Sequence, residues 1–290
     1  MTSHDPTPAR KPSRPGRLRM RARIAFGAVR PPGQYGISHP KSGRTWLRAM
    51  VGRVLCSRTG LPETELLHTR KLTAAAGLPP LKWHHGGASL KSPCPRHDEL
   101  RFDERFAGKP IIFVIRDPRD TLVSSYFQAL KRSESITGSV GDISEFIRSS
   151  ERGLFKWIAF HNLWHENLNR LASFHLVRYE SMHAEPVATL RGVLEAMGLP
   201  GVDDQEVSEA IEFARFDNLR RLEASGRLSD SALKPKDASD PDSFKVRKGK
   251  VGGYRENLSE DDLAFIAETL DSYPCPFYNE NYQRASERTT

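Results

Sequence analysis

Three short runs of this sequence carry cations, hydroxyls and glycines at spacings suited to binding phosphate. The first is His39-Pro40-Lys41-Ser42-Gly43-Arg44-Thr45-Trp46. Gly43 permits close backbone approach, and a helix opening after it offers unpaired N–H groups to an anion. Lys41, Ser42 and Thr45 add a cation and two hydroxyls. This is not the triphosphate loop G-x-x-x-x-G-K-[ST], because Lys41 precedes the glycine and no Gly-Lys pair stands at this turn. The second run is Arg116-Asp117-Pro118-Arg119-Asp120, with Ser124 eight residues after Arg116. Arginine is a permanently charged, bidentate clamp for phosphate. The third is Arg247-Lys248-Gly249-Lys250-Val251-Gly252-Gly253-Tyr254. Between the first two lies Lys82-Trp83-His84-His85-Gly86-Gly87-Ala88-Ser89. Its histidines titrate near working pH and suit proton transfer.

These runs need a scaffold that brings them together. Tyr35-Gly36-Ile37-Ser38 predicts a short buried strand, and a helix from about Arg44 to Cys56 follows, with Trp46, Leu47, Met50, Val51, Val54 and Leu55 at helical spacing. The unbroken apolar run Ile111-Ile112-Phe113-Val114-Ile115 predicts a strand covered on both faces. A helix from about Arg119 to Lys131 comes next. A helix through Phe155, Ile158, Leu163, Trp164 and Leu168 precedes a third strand, Phe174-His175-Leu176-Val177. Further helices are expected after Pro186, a first-turn proline, from about Asp203, and from Ser259 with its acidic partner Asp262. The alternation predicts a three-layer α/β/α fold with a central parallel sheet, akin to the P-loop nucleotide hydrolases. Ligands of such sheets bind beyond the carboxyl ends of the strands, where the phosphate-binding turns fall.

Charge narrows the partners. Residues 1–30 hold eight Lys or Arg against Asp5, so they carry +7 of the formal +8 and leave +1 for the rest. The body is nearly neutral, which argues against a nucleic-acid partner. The basic, Pro- and Arg-rich stretch 1–33 is expected to be a disordered leader. Residues 34–290 are expected to form one domain, with a Ser-, Asp-, Pro- and Lys-rich loop near 225–245 acting as a mobile lid. No stretch approaches the length of a membrane span, and no secretory signal is evident. The three cysteines, Cys56, Cys94 and Cys275, form no CxxC pair and fit a reducing, cytoplasmic setting. Cys94 and His97 have C-x-x-H spacing, but without a second ligand pair no metal site is expected.

The first run resembles the 5′-phosphosulfate loop of the sulfotransferases that use PAPS (3′-phosphoadenosine 5′-phosphosulfate), Tyr-Pro-Lys-Ser-Gly-Thr-Thr-Trp. The chain differs from it at His39 and Arg44, and the arginine form is similar to the bacterial branch. The Arg116 and Ser124 spacing resembles the family's 3′-phosphate clamp. Arg247, Lys248 and Gly249, with Gly252 and Tyr254 in register, resemble its Arg-Lys-Gly-x-x-Gly closure. The resemblance runs from about Gln34 to the final helix. It implies that Lys41, Ser42, Gly43, Arg44, Thr45, Trp46, Arg116, Ser124, Arg247, Lys248 and Gly249 hold the nucleotide. Tyr179 and Phe216 would contact adenine, with Trp46 on the other face.

The resemblance further implies that Lys41 stabilises the leaving nucleotide and that a histidine takes the acceptor's proton. The family's Thr-His-Asp-Gly-Ala pattern favours His85, and its Lys-x-His pattern favours His84 with Lys82. His85 is preferred because the Gly-Ala register also fits. The implied reaction moves a sulfuryl group from PAPS to a hydroxyl or amine of a small-molecule, glycan or metabolite acceptor, releasing PAP and needing no metal. Two other functions stay open at this point: a nucleotide kinase or other phosphoryl-transfer enzyme, and a non-catalytic PAP-binding module. The family's cytosolic dimer segment is not matched, since Arg255, Ser259, Glu260 and Ala264 stand at its key positions, so the oligomeric state stays open.

Overall fold

The computed structural model describes residues 33–90, 95–132, 140–226, 228, 244 and 249–278. Nearly all of the basic leader, most of the loop near 225–245, and Cys94, Arg247 and Lys248 lie outside the described residues.

Four strands form one parallel sheet: β1 Gln34–Ser38, β2 Leu81–His84, β3 Pro110–Ile115 and β4 Ser173–Arg178, in the order β2-β1-β3-β4. The helices are α1 Arg44–Thr59, α2 Thr69–Ala75, α3 Pro118–Arg132, α4 Ile143–Arg148, α5 Leu154–Glu166, α6 Tyr179–Ala184, α7 Pro186–Ala196, α8 Asp204–Phe213, α9 Phe216–Ser225 and α10 Glu260–Ser272.

The alternation of β3 explains the three layers. Ile112 and Val114 join a core with Leu47 and Met50 of α1, Leu190 of α7 and Val207 of α8. Ile111, Phe113 and Ile115 join a second core with Leu122 of α3, Trp157 and Phe160 of α5 and Ile266 of α10. A strand whose successive side chains enter opposite cores must be apolar throughout.

The capping chemistry expected from sequence is present. Pro186 opens α7, and Ser259 and Asp262 form a reciprocal capping box at α10. The sequence reading found three strands and missed β2. That segment is a four-residue edge strand with the mixed sequence Leu-Lys-Trp-His, so it shows no apolar run. It also missed α9, and α2, α4 and α6, which span seven, six and six residues and are too short to reveal a helical period.

Candidate active site

The three parallel strands β1, β2 and β3 deliver their following turns to one edge of the sheet. Ile37 pairs with His84 and with Phe113, so Ser38, His85 and the end of β3 lie side by side. The β1–α1 turn is sharply wound. Lys41 is the only described non-glycine residue with positive φ, at 69°, and Gly43 follows at 89°. A lysine in this region pays conformational energy, and such outliers gather at ligand sites. Gly43 has a second constraint, because a Cβ there would overlap the ring of Tyr179.

Arg116 ties the Lys41 turn to the Lys250 turn. Its Nη1 donates to the Lys41 carbonyl at 3.4 Å and its Nη2 to the Lys250 carbonyl at 2.9 Å. Its guanidinium lies over the Tyr179 ring, 4.1 Å from the centroid. Burial opposes its charge, yet Tyr179, Asp120, Glu180 and Asp117 more than offset this, and its pKa is raised. Asp120 faces Arg116 at 3.5 Å. The same carboxylate accepts the Gly252 and Tyr254 N–H groups, each at 2.9 Å. Asp120 thereby pins the third run to α3. Ser124 is half-buried on α3, one turn beyond Asp120.

The aromatic candidates also collect here. The Trp46 ring meets Tyr179 edge-on at 5.6 Å and His183 at 4.5 Å. Phe216 opens α9 and packs on Gly249, where a Cβ would overlap its ring. Tyr254 is buried in the second core, with Arg119 stacked on its ring at 4.4 Å. Burial first, and then the Arg116 charge, hold the His183 imidazole down at about 4.

The two histidines differ in tautomer. His85 Nδ1–H donates to the Ser38 carbonyl at 3.0 Å, which leaves the ring's lone pair on Nε2. His84 Nδ1 accepts the Gly86 N–H at 2.9 Å, so its lone pair is already used. Burial, followed by Arg105 and Arg44, lowers the His84 pKa, with Asp103 partly opposing. Arg44 therefore lies near His84, on the first turn of α1 with half-buried Thr45.

The cradle has polar capacity to spare. Among the described residues, Ser42 Oγ and Arg116 Nε are buried without a hydrogen-bond partner. A hydroxyl and a guanidinium N–H left over at a wound, cation-lined turn fit a phosphate-bearing ligand. No group of three or more His, Cys, Asp or Glu that could hold a metal occurs among the described residues.

Sequence reasoning missed Asp120 as a tether, His183 beside Trp46, and the Ser38 carbonyl as the anchor of His85. Asp120 had a signal: it lies one helical turn after Arg116. The Ser38–His85 bond depends on β1 and β2 becoming neighbours, and the Trp46–His183 contact on α6 packing near α1.

A family model described as the sulfotransferase domain matches residues 108–283, more than half of the chain. Cytosolic sulfotransferase 17 of Arabidopsis thaliana is 26% identical over 264 residues, covering 83% of this chain and 74% of that protein. Flavonol 3-sulfotransferase of Flaveria bidentis is 22% identical over 251 residues, covering 81% and 79%. The crystal structure of a mouse sulfotransferase complexed with PAP aligns with a TM-score of 0.57 at 18% identity, covering 90% of this chain and 88% of that one. At such identity the structural likeness establishes the fold, and it agrees with the parallel three-layer architecture. By its sequence match, this chain belongs to the sulfotransferase domain family.

Proposed function

We propose that this chain transfers a sulfuryl group from PAPS to a hydroxyl or amine of a small-molecule, glycan or metabolite acceptor and releases PAP. The observation that carries this reading is Arg116, which joins the Lys41 turn to the Lys250 turn beside Tyr179. When bound, PAPS supplies a sulfuryl group on a nucleotide phosphate that leaves with its charge. Lys41, Ser42, Gly43, Arg44, Thr45 and Trp46 hold that end of the nucleotide. Arg116 and Ser124, with Arg247, Lys248 and Gly249, hold the 3′-phosphate, and Tyr179 and Phe216 face the base. Lys41 meets charge where it develops. His85 Nε2 takes the acceptor proton. As in phosphoryl transfer, positioning and charge stabilisation dominate.

The finer readings rest on less. Arg44 supports a place in the bacterial branch. The flavonol named in one relative supports a small hydroxyl-bearing acceptor. Several relatives are named as cytosolic, which supports a cytoplasmic setting. No described helix is long and apolar enough to cross a membrane. Residues 34–290 are read as one sulfotransferase domain. Family membership disfavours the phosphoryl-transfer alternative.

The test is transfer from radiolabelled PAPS to an acceptor panel, for the wild type and Lys41→Ala. The variant should lose on the order of 100-fold or more in turnover, while PAP affinity falls less. Near-normal turnover in a folded Lys41→Ala protein would remove Lys41 from the chemistry.

A further inference from the structure

Lys156 is wholly enclosed on α5. Enclosing an ammonium is costly, and an apolar side chain of the same length would fill the space without that penalty. Its Nζ donates to the Ser89 carbonyl at 2.8 Å. Ser89 ends the turn that begins at His85. In that turn Ala88 N–H donates to the His85 carbonyl at 2.9 Å, and Gly86 and Gly87 take φ of 52° and 95°. Two consecutive left-handed glycines make a hinge with little stiffness of its own.

The turn is therefore held from outside, at both ends and beneath. At its start, His85 Nδ1 bonds the Ser38 carbonyl. Beneath it stands Trp164 of α5, whose Nε1 would lie 2.8 Å from a Cβ at Gly86. At its end is Lys156. One helix thus supplies both the support and the far anchor. α5 also meets the nucleotide turn: His161 stacks near His39, ring centroids 6.2 Å apart. Burial, and to a smaller extent the Lys156 charge, hold the His39 imidazole neutral, with its pKa down at about 3 against the opposing pull of its Pro40 carbonyl bond.

We propose that Lys156 is a positioning residue for sulfuryl transfer: by anchoring Ser89 it fixes the glycine turn that aims His85. The proposal rests on the reading of His85 as the base. The Lys156 hydrogen bond goes to Ser89, on the turn of His85, so its loss should act on catalysis and spare nucleotide binding.

The experiment compares Lys156→Met, His85→Gln and the double variant, all in the full chain. Turnover of labelled PAPS is measured with whichever of 4-nitrophenol, N-acetylglucosamine and 2-phenylethylamine is fastest. PAP affinity, Tm and the His85 ring resonance in histidine-labelled protein are measured alongside, and the resonance needs no acceptor. Lys156→Met should lower kcat about 10- to 100-fold, the range that a base misplaced by about 1 Å can cost. PAP affinity should stay within about threefold, because the phosphate contacts are elsewhere. Tm should change little, because relief of the buried charge offsets the hydrogen bond lost at the Ser89 carbonyl. The His85 resonance should move, and the double variant should be no slower than His85→Gln, as expected for two groups on one path. Should Lys156→Met fail to fold, Lys156→Gln, which keeps a donor, takes its place with a smaller expected loss. Wild-type turnover with an unmoved His85 resonance overturns the proposal, and so do losses that multiply in the double variant. A slow His85→Gln beside a fast Lys156→Met sinks this proposal alone. A fast His85→Gln removes the base reading and this proposal with it.

Discussion

Adjacent histidines on one segment offer a test of how much a single hydrogen bond decides. A general base needs a lone pair, and a neutral imidazole has one. At His84 that lone pair accepts the Gly86 N–H, and at His85 the bond to the Ser38 carbonyl forces the proton onto Nδ1. The same ring chemistry thus places the lone pair on Nδ1 in one residue and on Nε2 in the next. His85→Ala should therefore lower turnover by about 100- to 10,000-fold with PAP affinity nearly unchanged. His84→Ala should cost far less, because its place is a turn contact beside Phe106. Turnover and PAP affinity of both single variants, each checked for folding, decide the matter. A dead His84→Ala with an active His85→Ala would establish the Lys-x-His register instead.

At the scale of elements, the third run depends on a carboxylate that belongs to another helix. Asp120 sits on the first turn of α3 and spans Arg116, Gly252 and Tyr254. Burial raises its pKa, while the Arg116 charge and the two N–H bonds pull the other way. Asp120→Ala would leave two loop N–H groups unmet and Arg116 without that partner. Stability should fall by about 1–3 kcal/mol, read as a lower urea midpoint. PAP affinity should fall with it, because the Gly252–Tyr254 segment, which follows Arg247 and Lys248 in sequence, loses its tether. Asp120→Asn should recover part of both, since its amide oxygen still accepts. Lost stability with intact PAP affinity would mean that the loop reaches the nucleotide without this tether. Such long-range ties mark the limit of what the sequence disclosed. β3 was legible because its five apolar residues feed two cores, and α10 because Ser259 and Asp262 cap it locally. The runs at Lys41 and Lys250 stood out because each sets cations and glycines within a few residues. β2 was not legible, since four mixed residues acquire their strand character from pairing with β1. Lys156 was not, since its partner lies 67 residues away and only the packing of α5 joins them.

For the whole molecule, the arrangement of charge predicts which nucleotide the site prefers. The Lys41 and Lys250 turns approach one another through Arg116 at the carboxyl ends of the sheet, and the cations there are lysine and arginine. A magnesium triphosphate would need an acidic partner for the metal and a glycine-lysine loop, and this nucleotide turn places its lysine before the glycine. PAP carries phosphate at two positions of one nucleotide, which suits two cation-bearing turns joined at Arg116. A ligand that binds the folded chain stabilises it by mass action, by about 2.7 kcal/mol at 100 times its Kd. For a domain of this size that corresponds to a rise in Tm of roughly 5 °C. PAP should produce this rise, while ATP with magnesium at the same concentration should produce little. Adenosine 5′-phosphate, which lacks the 3′-phosphate, should fall between them, and Arg116→Ala should bring PAP down to its level. The measurement is a set of thermal melts with each nucleotide, on the wild type and Arg116→Ala. Equal protection by PAP and adenosine 5′-phosphate would show that Arg116 does not read the 3′-phosphate. Stronger protection by ATP with magnesium would return the chain to phosphoryl transfer.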